Sequence, residues 1–224
     1  MTLLTQLGIL LVSYLLGAVP AGYVLVKLRT GQDIRTIQSG RTGGTNAARA
    51  AGWWVGLATG VSDVLKAMLA VYLARWLAPG DEWLAVLAPI AAILGHNYSL
   101  LMARRDERGR LLIGGGAGGA PVLGGAAGLW FPAVFIILPL GFLIYYFVGY
   151  ASLATMSAGI LSIIIFGIRA YLGLGPWEYL AYGAISTAIV IWALRPNIRR
   201  LREGTERLHG YRARNRVKTG ESKI

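Results

Sequence analysis

Seven apolar runs, each near the roughly 20 residues that an α-helix needs to cross a bilayer, constrain this chain more than any other feature. They are Leu3 to Leu28, Gly52 to Ala78, Trp83 to Met102, Gly116 to Trp130, Pro132 to Gly149, Ser152 to Leu172 and Trp177 to Leu194. A backbone surrounded by lipid must satisfy its own hydrogen bonds, so runs of this length read as helices packed into a bundle. The expected fold is an all-α integral membrane protein of about seven transmembrane helices. Between the fourth and fifth runs stands "WFP", where Pro132 reads as the first residue of a new helix, giving two short spans rather than one kinked one.

A chain that is 55% hydrophobic and 14% charged, with a mean hydropathy of +0.56, has too little polar surface for a soluble domain of its size. Its 22 Lys and Arg against 10 Asp and Glu point to basic loops rather than to nucleic acid, because the cations lie between apolar runs and not on one soluble module. Nineteen of the 22 fall in Lys27 to Arg49, Arg104 to Arg110 and Arg195 to Lys223, and seven helices place all three segments on one side. Excess positive charge marks that side as cytoplasmic, so the N-terminus faces out and the C-terminus in. Residues 1–194 then form the membrane domain and 195–224 a basic cytoplasmic tail. The opposite loops, "APGDEW" and "GLGPWE", set Trp83 and Trp177 beside acidic residues, as at an outer interface. The N-terminal run lacks the charged start and small-residue cleavage site of a signal peptide and reads as a retained helix. With no cysteine, disulfides and thiolate chemistry are excluded.

The stretch "QSGRTGGTNAARAAGWW", Gln38 to Trp54, is the polar exception. It lies in the first cytoplasmic loop, and its glycines are poor at forming a stable helix or strand. Backbone N–H groups at Gly43 and Gly44, with the hydroxyls of Ser39, Thr42 and Thr45, have the composition of an anion-binding nest, and Arg49 adds a guanidinium fork. A solvated turn capping the next helix accounts for the same residues equally well. On the same face, "GRLLIGGGAGGAPVLGGAAG" places Gly114, Gly115 and Gly116 before the fourth helix, a second candidate phosphate cradle. Close helix packing is the competing explanation for the rest of that glycine run. Asp63 and Lys66, three apart on the second helix, share a face and form an intramembrane pair whose default role is structural. An isolated His96 in "GHN" is expected to bond a carbonyl, with loop orientation and anion contact as alternatives.

"SYLLGAVPAGYVLVKLRTGQDIR", "SGRTGGTNAARAAG", "SDVLKA", "GHNYSLL", the glycine run, "YASL" and "NIRRLREGTE" follow one another in an order that resembles the PlsY family. These are bacterial membrane glycerol-3-phosphate acyltransferases that use acyl phosphate. The resemblance covers Ser13 to about Glu206 and is most specific at Thr45, Asn46 and Arg49 followed by Asp63-Val-Leu-Lys66. It implies a bundle of about seven spans with its motif loops in the cytoplasm. Four positions depart from the family pattern. Tyr98 and Ser99 stand where the family has Phe-Pro, "GGGAGG" lacks the lysine of Gly-Gly-Lys-Gly, and Leu194 replaces a histidine. Arg104, Arg105, Arg108 and Arg110 are the neighbouring candidates to supply the missing cation.

What the resemblance implies for the chemistry is direct transfer from an already activated mixed anhydride, which needs alignment and charge stabilisation rather than a covalent enzyme intermediate. Arg49, with Ser39 and Thr45, is expected to hold one substrate phosphate. Asn46 and Asn197 are expected to hold hydroxyl or phosphoryl oxygens, Ser152 to close the site, and His96 to support the third motif. The acyl tail lies between helices or in lipid, gaining about 0.8 kcal/mol per buried CH₂. No cofactor or metal is expected, and the partners are acyl phosphate, glycerol 3-phosphate and the bilayer, with the protein a monomer. A non-catalytic binder of anionic lipid or phosphate, and a small transporter of a phosphorylated solute, are the other readings; no paired halves in the hydropathy support the transporter.

Overall fold

The computed structural model describes residues 1–218, so residues 219–224 of the expected basic tail lie outside the described ones. Each of the seven apolar runs contains a helix. The first holds two, α1 Leu3–Ala18 and α2 Ala21–Thr30. They are divided at Pro20, which lacks the N–H that a continuous helix would use there, a break that hydropathy alone conceals. The others are α4 Trp53–Leu77, α5 Glu82–Asn97, α6 Gly119–Leu129, α7 Val134–Leu143, α8 Ala151–Tyr171 and α9 Glu178–Ala193, with α3 Gly44–Ala51 preceding α4. Among the described residues, four stretches are long and apolar enough to cross a membrane: 3–30, 53–77, 131–148 and 151–171. The α6 and α9 helices are shorter apolar ones.

One expectation changes. The third run ends as a helix at Asn97, and its last residues enter an antiparallel hairpin, β1 Ser99–Arg105 with β2 Leu111–Gly114. Ser99 pairs with Gly114 and Arg105 with Leu111, so the charged loop folds back and delivers the glycine run to the end of α5. The "SGRTGG" piece stays non-helical through Gly43, and the polar stretch runs into a short helix of its own, α3, from Gly44. Trp130 is extended (φ −152°) between α6 and the turn at Phe131–Ala133, so Pro132 opens a new helical segment as expected.

Small side chains bring the helices together where lipid supplies no hydrophobic drive of its own. Ala67, Ala70 and Ala74 of α4 and Ala88 and Ala92 of α5 cluster with Ile9 of α1. A second cluster gathers Val86, Ile93, Val122, Phe166 and Tyr182, and the Tyr182 hydroxyl donates to the Val122 carbonyl at 2.7 Å. Leu4, Trp76, Phe135 and Ile168 are exposed on the outer surface, as side chains facing hydrocarbon are. After α9, α10 Arg195–Arg202 and α11 Gly210–Lys218 complete the described chain.

Candidate active site

A cavity of about 1110 Å³ opens where these elements converge. Its polar end is built by the loop before α3, by α3 itself, by the start of α6 and by residues after α9. Its other end is apolar, walled by Leu57, Val61 and Leu65 of α4 and by Leu138 and Phe142 of α7. Ser39, Gly43, Gly44, Thr45, Asn46, Arg49, His96, Ser152 and Asn197 all line it, although the last of them is 158 positions from the first in sequence. Ser39 and Thr45 are exposed toward it. The Ser152 hydroxyl is buried without a protein partner.

The two asparagines both hold protein groups. Asn46 is buried and its amide donates to the carbonyls of Ile37 and Arg41 at 3.0 Å and of Ile34 at 3.3 Å. It folds the loop onto α3 with its amide N–H groups taken, while its Oδ1 is buried without a partner among the described residues. Asn197 accepts from Arg41 at 3.2 Å and donates to Glu206 at 2.8 Å. Both orient neighbours that line the cavity.

Asp63 lies at the cavity floor and has two cationic or potentially cationic neighbours. Lys66 Nζ is 2.8 Å and His96 Nδ1 3.3 Å from the same oxygen, Oδ1, while Oδ2 is buried and unpartnered. Lys66 also donates to the Val19 carbonyl at 3.2 Å, on the break between α1 and α2. The pair is therefore a triad, and the His96 ring meets a carboxylate instead of the expected carbonyl.

The glycine cradle is displaced from its expected position. Gly114, Gly115 and Gly116 do not line the large cavity; they border a separate pocket of about 270 Å³. Gly116 donates its N–H to the His96 carbonyl at 2.9 Å, and a Cβ there would fall 1.8 Å from His96 Nε2. The large cavity is instead met by Ala117, Gly118 and Gly119 at the start of α6. Gly118 caps that helix with φ +91°, and a Cβ would also press on the Asn97 amide at 3.0 Å. None of Arg104, Arg105, Arg108 and Arg110 lines either space; Arg110 is held by Asp106 at 2.7 Å.

Two residues not singled out by the sequence occupy the polar end. Arg41 lines both the cavity and the smaller pocket. His209, in the expected tail, accepts from Arg49 Nη2 at 2.7 Å through Nε2. Because a guanidinium only donates, Nδ1 carries the imidazole proton and faces the Tyr145 hydroxyl at 3.2 Å. The tail is thus no appendage: Thr205 to Arg207 and His209 roof the cavity, and Arg207 reaches Gln38 on the opposite rim.

Burial, then the cations Arg49 and Arg207, push the His209 imidazole down to about 4 from 6.5. With the folded value below the unfolded one, the unfolded state binds more protons between those two values. The contact stabilises fully above pH 6.5 and is lost as pH falls toward 4. Half exposure reduces the effect to about 1 kcal/mol, or roughly 2–4 °C. Wild-type thermal midpoints should therefore drop over that window by that much more than those of His209→Phe.

The model of the family described as glycerol-3-phosphate acyltransferase matches residues 7–204. The chain belongs to that family. A glycerol-3-phosphate acyltransferase of Thermus thermophilus is 35% identical over 207 residues, 92% of this chain and 96% of that one. Glycerol-3-phosphate acyltransferase 1 of Deinococcus radiodurans is 36% identical over 208 residues, 92% and 97% of the two chains. A crystal structure of PlsY, an integral membrane glycerol 3-phosphate acyltransferase, in its glycerol 3-phosphate form has a TM-score of 0.78 at 29% identity, covering 92% of this chain and 96% of that one. This chain is accordingly an acyltransferase of a multi-pass, integral membrane kind. His209 lies beyond the residues that the family model matches, 7–204.

Proposed function

We propose that this acyltransferase moves a fatty acyl group from acyl phosphate to glycerol 3-phosphate, releasing 1-acyl-glycerol-3-phosphate (lysophosphatidic acid) and inorganic phosphate for phospholipid synthesis. The observation that carries the reading is one cavity with an arginine and a helix start at its polar end and an apolar trough between α4 and α7. A fatty chain and a phosphate fit its two ends. The glycerol 1-oxygen attacks the acyl carbonyl carbon, the bond from that carbon to the phosphate oxygen breaks, and the alcohol proton leaves with the departing phosphate. The protein supplies alignment and positive potential.

Arg49, Thr45 and Ser39 hold a phosphoryl group; Gly118 and Gly119 present backbone N–H groups at the start of α6; and the unpartnered Ser152 hydroxyl reaches a substrate oxygen. Asp63, Lys66 and His96 keep α1, α4 and the glycine loop in place. The protein acts as a monomer. The polar end faces the cytoplasm of a bacterial cell membrane, with seven spans and the N-terminus outside. A cysteine at Arg108 of this cysteine-free chain that reacted with a reagent confined to the outside would reverse that orientation.

The reaction is tested with purified protein in liposomes given a long-chain acyl phosphate and glycerol 3-phosphate. Equal amounts of inorganic phosphate and lysophosphatidic acid should form, and acyl-coenzyme A should not replace the donor. Turnover with acyl-coenzyme A alone would transfer the assignment to a thioester donor.

A further inference from the structure

Arg41 is a cation without an anion. Three of its five N–H groups are taken by neutral acceptors, Gly116 O at 3.2 Å, Ala193 O at 2.7 Å and Asn197 Oδ1 at 3.2 Å. That leaves two, one of them on Nε. Among the described residues no carboxylate is within ion-pair distance of it. Glu206, the acid behind Asn197, is already engaged by Asn197 at 2.8 Å and Arg200 at 2.9 Å. Burial, then Arg200, disfavour the Arg41 charge, and an unneutralised charge out of water is costly unless something pairs with it.

The surroundings suit an anion. Arg41 stands between the large cavity and the 270 Å³ pocket, against a glycine loop that carries no cation of its own. Asn97 lines that pocket too; it is 4% exposed, and among the described residues neither its Nδ2 nor its Oδ1 has a partner. A buried amide left unpartnered near a half-buried guanidinium with no ion-pair partner is a pattern that a phosphoryl group would complete, accepting from both.

We propose that Arg41 is a second phosphate-binding residue of this acyltransferase, holding at the glycine loop the phosphoryl group of one substrate while Arg49 holds that of the other. The inference rests on the proposed reaction for its need of two phosphoryl sites, since both substrates carry one. It also supplies, from the loop before α3, the cation that the hairpin arginines do not deliver.

The competing role is a staple that joins the glycine loop to the end of α9. Two measurements separate them. Calorimetry with inorganic phosphate alone, on the purified protein in detergent, needs no turnover and stands even if acyl phosphate proves to be the wrong donor. Arg41→Gln, which still donates to carbonyls, should weaken phosphate binding roughly tenfold or more. In turnover, the same variant should raise KM about tenfold for one phosphorylated substrate and leave the other within about twofold. A rise for glycerol 3-phosphate assigns Arg41 to the acceptor, and a rise for acyl phosphate to the donor. Adding Ala117→Lys, on the loop and facing the cavity, should recover much of the loss. Unchanged phosphate affinity and KM in folded Arg41→Gln would overturn the proposal. So would equal loss toward both substrates with a lower thermal midpoint and no recovery by Ala117→Lys, which is the behaviour of a staple. Should Arg41→Gln fail to fold, Arg41→Lys decides by the same two measurements, since it keeps the charge without the staple's geometry.

Discussion

Asp63→Ala should destabilise the acyltransferase by about 3–5 kcal/mol, the usual result of removing one partner from a buried ion pair. The change leaves Lys66, itself buried and 2.8 Å from the lost oxygen, with only the Val19 carbonyl as a partner among the described residues. It also frees the His96 ring, which stands 3.3 Å from that oxygen and closely abuts Gly116. The cost is electrostatic rather than a matter of packing, and a paired variant shows it. In Asp63→Leu with Lys66→Met both charges are gone and comparable volume remains, so most of the lost stability should return. Thermal midpoints in one detergent, with yield measured beside them, are the readout. A double variant as unstable as Asp63→Ala would mean that α4 needs the carboxylate for its shape, and that the triad is not held by charge.

What the sequence could show here depended on distance along the chain. Hydropathy reports on each residue's immediate neighbours, and it located a helix in every apolar run. It was blind to events that one residue decides, such as the break at Pro20 between α1 and α2. The hairpin from Ser99 to Gly114 was hidden for a different reason: Leu100, Leu101 and Met102 extend the apolar run past the helix end, so composition continues where the backbone changes. Charge spacing on one helix face gave the Asp63–Lys66 pair, but His96 comes from α5 and no spacing rule reaches it.

The cavity divides in the same way. Ser39, Thr45, Asn46 and Arg49 were legible because they are local to one stretch, and the stretch already held a clue to Arg41: a cation set among Gly, Ser and Thr. Its use was illegible, since its acceptor Asn197 lies 156 positions on. His209 carried no clue at all. It sits in a basic tail, 160 positions from Arg49, and becomes part of the site only because Gly149 O holds its N–H at 2.8 Å and so turns the tail back over the cavity. The glycine loop was read one turn too early for the large cavity, because only the fold shows that Gly115 and Gly116 are spent on packing against Asn97 and His96.

Arg49→Lys and Arg49→Ala should both lose more than tenfold in turnover at fixed subsaturating glycerol 3-phosphate. A guanidinium offers a planar fork that two phosphate oxygens can share, whereas an ammonium is a point charge on a flexible stem. Removal of a charge-assisted contact costs about 1.5–3 kcal/mol, equivalent to roughly ten- to over a hundredfold. Burial, then the nearby Arg207, lower the Arg49 pKa from its ordinary value, so an arriving phosphate relieves a strained charge. In the free protein the group that meets its Nη2 is the neutral imidazole of His209, a ligand that orients the fork without cancelling its charge. His209→Gln keeps an acceptor near that position and should retain more activity than His209→Phe. Arg202→Ala, on the exposed side of α10, should be nearly silent. Thermal midpoints distinguish lost chemistry from lost fold in each case. Full turnover by Arg49→Lys, with an unchanged half-saturating glycerol 3-phosphate concentration, would remove the bidentate role and leave Arg49 as a link between α3 and His209.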